Sequence, residues 1–249
     1  ARLITLRSAV QIRPPQPIRF IIYFMKKIIT TTQNTNRELI DKIKKAKINY
    51  YYINNQNDFR KKIIQEIDKE DIVLDCGKAM RDEFKYIDCK LLETLDVNVY
   101  EDYPDIVFDL CSDDLDELRN RYDKIICIAV LEHVYNPFKA VENLRDMLKD
   151  NGTIYGMVPY LYHYHAPNDL KFQDYFRFSK DALAILFKEF SEIELFPIRG
   201  RISASFNLMF AGRWKNYIEK TGINIFLDKF SSNEKNLKQC SGFNFIVKK

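Results

Sequence analysis

The chain has 249 residues, 46% hydrophobic and 30% charged, enough to bury a full core as one α/β domain with small appendages. Its formal charge of +4 comes entirely from Arg2, Arg7, Arg13 and Arg19 in an acid-free first 24 residues, so the remainder is balanced and lacks the basic face that nucleic-acid binding requires. Five cysteines with no CxxC pair argue against a disulfide framework or zinc knuckle and fit a reducing cytoplasm.

Residues 1–24 read as a disordered tail or a spurious upstream extension, because Arg13-Pro14-Pro15-Gln16-Pro17 cannot propagate helix or central strand and Met25-Lys26-Lys27-Ile28 looks like a start. The apolar run from Phe20 to Met25 is far shorter than the roughly 20 residues of a membrane span, and none is expected. Residues 25–70 are expected to form a helical lead-in, with helices over 35–48 and 57–69 joined by the Asn- and Tyr-rich stretch 49–57. In the second helix Asp58 is the expected cap, and Phe59, Ile63 and Ile67 recur on one face.

From Asp71 short apolar runs alternate with amphipathic segments, the pattern of a largely parallel sheet covered on both faces. Strands are expected over 72–74, 91–95, 106–108, 124–129, 153–158, 192–198 and 243–248, seven in all. Asn136 caps a helix with Pro137 at its first position, and Pro137, Val141, Leu144 and Leu148 form its buried stripe. Asn151-Gly152 is read as the end of that helix, with Gly152 taking the left-handed conformation. Ser179 opens another helix with Leu183, Leu186, Phe187 and Phe190 inward, while residues 199–240 form an insertion or lid carrying Trp214.

In an open parallel sheet, ligands bind at the carboxyl ends of the strands. Asp75 sits at the end of the first strand, and Gly77 lets a ligand approach the backbone. Asp96, at the end of the second strand, has the two acceptors that ribose hydroxyls need, with Glu93 as its competitor if that strand is misplaced. Ala79 and Arg81 stand where further glycines would complete a phosphate cradle, and this disfavours an NAD-dependent enzyme. His163 and His165 follow the fifth strand and, in extended backbone, project to one side as candidate general bases. Their spacing to Asp169 or Asp174 does not define a ligand set, and no metal is assigned.

Val73-Leu74-Asp75-Cys76-Gly77, then Leu131-Glu132-His133-Val134, Lys149-Asp150-Asn151-Gly152, Val158-Pro159 and Asp174-Tyr175-Phe176-Arg177-Phe178 occur in one order and spacing. Together they resemble the class I S-adenosylmethionine-dependent methyltransferases, in particular the branch associated with glycan and cell-surface polysaccharide modification. The resemblance covers roughly residues 70–200, with an echo at 240–249, and implies a Rossmann-like sheet whose last strand is antiparallel, a methyltransferase domain over 71–249 and S-adenosylmethionine as cofactor.

By the same resemblance Asp109 and Leu110 meet the adenine, Glu132 or His133 orients cofactor or substrate, and the stretch with Asp174, Tyr175 and Arg177 folds over the acceptor, Tyr175 to stack on a sugar and Arg177 to anchor an anionic substrate or pair with a carboxylate. The acceptor is expected to be a small molecule or a glycan precursor, methylated on oxygen. A different class of reading is a catalytically silent module that binds cofactor or a partner without turnover, motivated by Ala79 and Arg81.

Overall fold

The computed structural model describes residues 37–48, 56–77, 81–169, 171–210, 221–230 and 238–249. The expectations for residues 1–24, for most of the 49–57 connection, for Ala79 and for Trp214 therefore fall outside the described residues. Two units are distinguished. Of the first, Ala1–Asp41, residues 37–41 are described and are helical.

The second unit, Lys42–Lys249, is built on one eight-stranded sheet. Its strands are β1 (Lys47–Ile48), β2 (Ile72–Cys76), β3 (Leu91–Asp96), β4 (Ile106–Val107), β5 (Tyr122–Ile128), β6 (Leu148–Pro159), β7 (Glu192–Ile198) and β8 (Gly242–Lys248). They lie in the order β1-β7-β8-β6-β5-β2-β3-β4. Seven of these are the expected strands. The eighth, β1, comes from residues expected to continue the helix over 35–48; that helix, α1, is described over residues 37–45 and stops there, and Lys47 and Ile48 pair in parallel with Glu194 and Leu195. β8 runs antiparallel to both β6 and β7, and every other pairing is parallel.

Alternation along the central strands sends side chains to two separate cores. Leu74, Cys76, Ile125, Cys127 and Ile154 face one core, closed by Val141 and Leu144 of α4 (Pro137–Met147) and Leu183 of α5 (Lys180–Leu186). Val73, Ile126, Ile128 and Tyr155 face the other, closed by Phe59 and Ile63 of α2 (Gln56–Glu66) and by Phe84 of the short α3 (Arg81–Phe84). These sit either side of a Rossmann-like sheet. Asp58 lies inside the first turn of α2 rather than capping it, where its charge still complements the amino-terminal dipole.

Asn136 accepts from the Lys139 amide at 3.2 Å and Ser179 from the Ala182 amide at 3.3 Å, so both expected caps are in place. The end of α4 differs from expectation. It stops at Met147, Leu148 is already extended and opens β6, and Asn151 rather than Gly152 takes the left-handed conformation, with φ 63°. Asn tolerates that region, and Gly152 is needed instead for space, because a Cβ there would stand 2.9 Å from the Lys149 carbonyl oxygen.

Asp123 ties the amino-terminal ends of three strands together. Its Oδ2 accepts from the Ile72 amide at 2.9 Å and from Lys149 Nζ at 2.7 Å. Within the insertion, α6 (Arg201–Met209) is capped from a distance by α7 (Ile223–Phe230): buried Asp228 accepts from the Gly200 amide at 2.8 Å and the Ser203 amide at 3.1 Å. No helix among the described residues is long and apolar enough to cross a membrane.

Candidate active site

The carboxyl ends of β2, β3, β4 and β5 open onto one cavity of about 560 Å³. The tip of β2 turns through Gly77, whose φ is +80° and whose amide donates to the Leu95 carbonyl at 2.8 Å. A Cβ added there would lie 2.6 Å from Cγ2 of Val130 at the end of β5, so both the turn and the close approach require glycine. Beside it Ala129 also has positive φ, 54°, an uncommon conformation for a residue with a side chain. Two adjacent strand tips are thus held in left-handed conformations where the cavity begins.

Asp96, at the end of β3, accepts from the Asn98 amide at 2.8 Å through Oδ1, and no hydrogen bond from a described residue reaches Oδ2. Its competitor Glu93 is engaged elsewhere, bonded by Arg121 and by the Tyr122 hydroxyl at 2.9 Å, and does not line the cavity. Asp109 accepts from the Cys111 amide at 2.8 Å and lines the cavity with Leu110.

Past the tip of β5, buried Glu132 anchors the following loop through its main chain: its carbonyl accepts from the amides of Tyr175 at 2.8 Å and Phe176 at 3.2 Å. That contact folds the segment after β6 across the site and carries His165 onto His133, with the two Nε2 atoms 3.1 Å apart. His133 Nδ1 donates to the Gln173 carbonyl at 2.6 Å. His165 Nδ1 lies 3.1 Å from Asp174 Oδ2 and 3.4 Å from the His163 carbonyl. The Glu132 carboxylate, 3.7 Å from His165 Nε2, is the main influence raising the His165 pKa above the ordinary imidazole value; burial opposes it and Asp174 adds to it.

Of the expected site residues, Gly77, Asp96, Asp109, Leu110, His133, His165 and Tyr175 line the cavity. Asp75 and Glu132 are buried outside the lining. His163 is exposed and stacks on Tyr162, with ring centroids 4.2 Å apart, so His165 is the histidine of that pair that reaches the cavity. Asp174, expected to meet the acceptor, is bonded to Arg177, which takes the carboxylate of its two expected partners and also donates to the carbonyls of Tyr162, His163 and Phe176. Burial disfavours the Asp174 charge, but Arg177, the His165 amide and the nearby imidazole outweigh it and hold its pKa at about 2. The pair fastens the loop on which His165 rides.

Sequence reasoning missed the aromatic walls, Tyr100, Phe108, Tyr135 and Phe172, of which Phe172 packs edge-on against His133 at 4.5 Å. Phe108 closes the expected strand over 106–108, but Tyr100, Tyr135 and Phe172 lie in segments without periodicity, and only the aromatic abundance of the chain hinted at them. Cys76 also lines the cavity, but burial pushes its thiol well above the usual range and it is no nucleophile.

A family model for the methyltransferase domain matches residues 50–192, which contain the tips of β2, β3, β4 and β5 and the loop bearing His165. The chain belongs to the methyltransferase domain family. This methyltransferase-domain protein is similar in structure to an S-adenosylmethionine-dependent methyltransferase from Archaeoglobus fulgidus, with 15% identity, TM-score 0.48, and coverage of 76% of this chain and 90% of that one. It is similar also to a phosphoethanolamine N-methyltransferase from Haemonchus contortus, with 16% identity, TM-score 0.47 and coverage of 78% and 52%. A third is 1,6-didemethyltoxoflavin-N1-methyltransferase from Burkholderia thailandensis, with 9% identity, TM-score 0.46 and coverage of 96% and 93%. The comparison with curated proteins gives no match.

Proposed function

We propose that the protein is an S-adenosylmethionine-dependent methyltransferase acting on an oxygen of a small molecule or sugar, with the cofactor in the 560 Å³ cavity and His133 and His165 at the acceptor end. The observation that carries this reading is the lining itself. Two carboxylates, Asp96 and Asp109, come from successive strand tips, while Lys171 is the one Lys or Arg among the described lining residues and is paired with Asp169 at 3.1 Å. Such a lining suits a cationic nucleoside and offers nothing to a pyrophosphate.

The residues present fit that cofactor. Gly77 gives the tip of β2 the left-handed turn that borders the cavity, Asp96 keeps an oxygen for a ribose hydroxyl, and Asp109 with Leu110 provides an acceptor beside an apolar surface for adenine. When bound, S-adenosylmethionine supplies an electrophilic methyl on a sulfonium, which passes to the acceptor oxygen as the sulfur–carbon bond breaks and the oxygen loses its proton. His165 stands where that proton leaves, held by the Asp174–Arg177 clamp and backed by Glu132. Alignment contributes most of the acceleration, since fixing two reactants in line is worth about 7–11 kcal/mol at best, and proton removal adds about 10²–10⁴-fold.

Tyr175 and Phe172 offer flat apolar faces on which a sugar or aromatic acceptor stacks, and a glycan precursor is the acceptor class favoured by the motif resemblance. The solved Haemonchus and Burkholderia enzymes are named as N-methyltransferases; oxygen is preferred here because an oxygen acceptor is the one that needs a proton sink such as the histidine pair. Five free cysteines are consistent with a cytoplasmic location. The reading is tested by incubating the full chain with methyl-labelled cofactor and a panel of sugars, nucleotide-sugars and phenols. Label transferred to a hydroxyl supports it, and cofactor binding without transfer to any acceptor supports the silent module.

A further inference from the structure

We propose that Glu132, His133 and His165 form a binding site for one divalent transition-metal cation, with zinc as the type case, open toward the cavity. The site follows from the geometry below; its role in catalysis rests on the methyl transfer proposed above.

Three atoms define it: His133 Nε2, His165 Nε2 and Glu132 Oε1. Their separations are 3.1 Å between the nitrogens, 3.7 Å from His165 to the carboxylate and 3.8 Å from His133 to the carboxylate. A point equidistant from three atoms so spaced lies about 2.1 Å from each, which matches zinc–imidazole and zinc–carboxylate bonds of about 2.0–2.2 Å. The triangle therefore has the size of a coordination face without any side chain moving.

Protonation points the same way. The partners of His133 Nδ1 and His165 Nδ1 are carbonyl or carboxylate oxygens, which accept only, so each Nδ1 carries the hydrogen. With both Nδ1 atoms turned to these oxygens, the two Nε2 atoms face each other at 3.1 Å, placed to share one bridging cation. Glu132 makes a matching demand: it is 1% exposed, and neither carboxylate oxygen has a hydrogen-bond partner among the described residues. The two imidazoles, at 3.7 and 3.8 Å, lie beyond hydrogen-bond distance of this buried carboxylate, and a divalent ion would satisfy all three groups at once. The oxygens behind each imidazole are those that orient metal-ligating histidines elsewhere.

Two imidazoles and one carboxylate leave at least one coordination position free, and His133 and His165 both line the cavity, so that position faces the acceptor. A hydroxyl coordinated there would lose its proton to solvent at a much lower pH than in water, and the oxygen would then attack the methyl group as the sulfur leaves with its electron pair. With the cation bound, His165 is its ligand and no longer the proton acceptor of the metal-free site described above, and the cation accounts for the acidity of the acceptor.

The test uses the full chain stripped with chelator and titrated calorimetrically with zinc chloride, with no cofactor or acceptor present. Saturation at one zinc per chain is expected, with affinity lowered at least tenfold in His133→Ala, His165→Ala and Glu132→Gln and unchanged in His163→Ala, which removes the remaining histidine. Cobalt(II) bound to the unmutated protein provides a second readout that needs no variant: visible bands of nitrogen and oxygen ligation support the site, and a thiolate charge-transfer band from the cysteines overturns it. Absence of zinc binding, or binding indifferent to His133→Ala and His165→Ala, also overturns it and leaves a shared proton between the rings. Since the measurement omits the cofactor, its failure would leave the methyltransferase reading standing, and the converse holds as well.

Discussion

The Cγ2 methyl of Val130 occupies the place that a side chain on Gly77 would need, 2.6 Å from the ideal Cβ position. The tips of β2 and β5 are therefore closed to any larger residue, and the turn at φ +80° penalises one again. Gly77→Ala should lower cofactor affinity tenfold or more, since the left-handed conformation alone costs about 1–2 kcal/mol and the clash must be relieved by moving the cavity wall. Adding Val130→Ala should recover part of the loss, because it removes the clash and not the dihedral strain. Calorimetric titration of the two variants checks this, and equal affinities would show that the contact with Val130 is immaterial.

Asp96 is the expected ribose partner and Glu93 its competitor only for a misplaced strand, and their surroundings separate them. Asp96→Ala should weaken S-adenosylmethionine binding by about 1–3 kcal/mol, roughly 5- to 150-fold, the range for a lost hydrogen bond to a charged group. Glu93→Ala should leave affinity within twofold and lower the melting temperature, because Arg121 and the Tyr122 hydroxyl lose their acceptor. A reversed pattern would transfer the ribose role to Glu93.

Asp174 holds His165 from two sides, accepting from its amide at 3.0 Å and lying 3.1 Å from its Nδ1. Asp174→Asn should lower kcat at least tenfold with little change in KM for the cofactor, and should cost about 3 kcal/mol of stability as Arg177 loses its buried partner. His165→Ala should lower kcat with cofactor binding intact. Steady-state kinetics at saturating acceptor distinguish these outcomes from a general loss of fold, in which both parameters would fail together.

Asp123 gives the fold a defined acid limit. Burial alone would raise its pKa, but the bonds from Lys149 and the Ile72 amide reverse that and leave it below the ordinary carboxylate value of about 3.9. A depressed folded-state pKa means that the unfolded chain takes up the proton more readily. The stabilisation is therefore complete above about pH 5 and is lost as the pH falls through the folded value. Asp123→Asn should be about 1–2 kcal/mol less stable than the native chain at pH 7, with the gap closing below pH 4. Denaturant melts at pH 7, 5 and 3.5 would reveal a pH-independent gap if this account of Asp123 were mistaken.

Much of this was legible in the order of residues. Central parallel strands are buried on both faces, so residues 72–74, 124–129 and 153–158 stand out as apolar runs, and Asp96 and Asp109, after the next two strands, mark the cavity edge. The caps Asn136 and Ser179 were equally visible because capping is local. β1 was not, since two residues carry no periodicity and pair only because Glu194 and Leu195 lie beside them. The histidine pair was half legible. His133 and His165 each drew notice, but their contact depends on Glu132 accepting the amides of Tyr175 and Phe176, a main-chain event that no side-chain pattern announces. Arg177 was legible only as a choice, because a guanidinium in a loop suits an anionic ligand as well as an internal carboxylate, and here Asp174 claims it.

The central claim is that one cavity at the tips of β2 to β5 holds an adenosyl sulfonium, and calorimetric titration of the full chain with S-adenosylmethionine tests it most directly. Saturable binding at one cofactor per chain, weakened by Asp96→Ala and by Gly77→Ala, is the predicted result. No heat of binding at millimolar cofactor, or binding that both substitutions leave untouched, would contradict it.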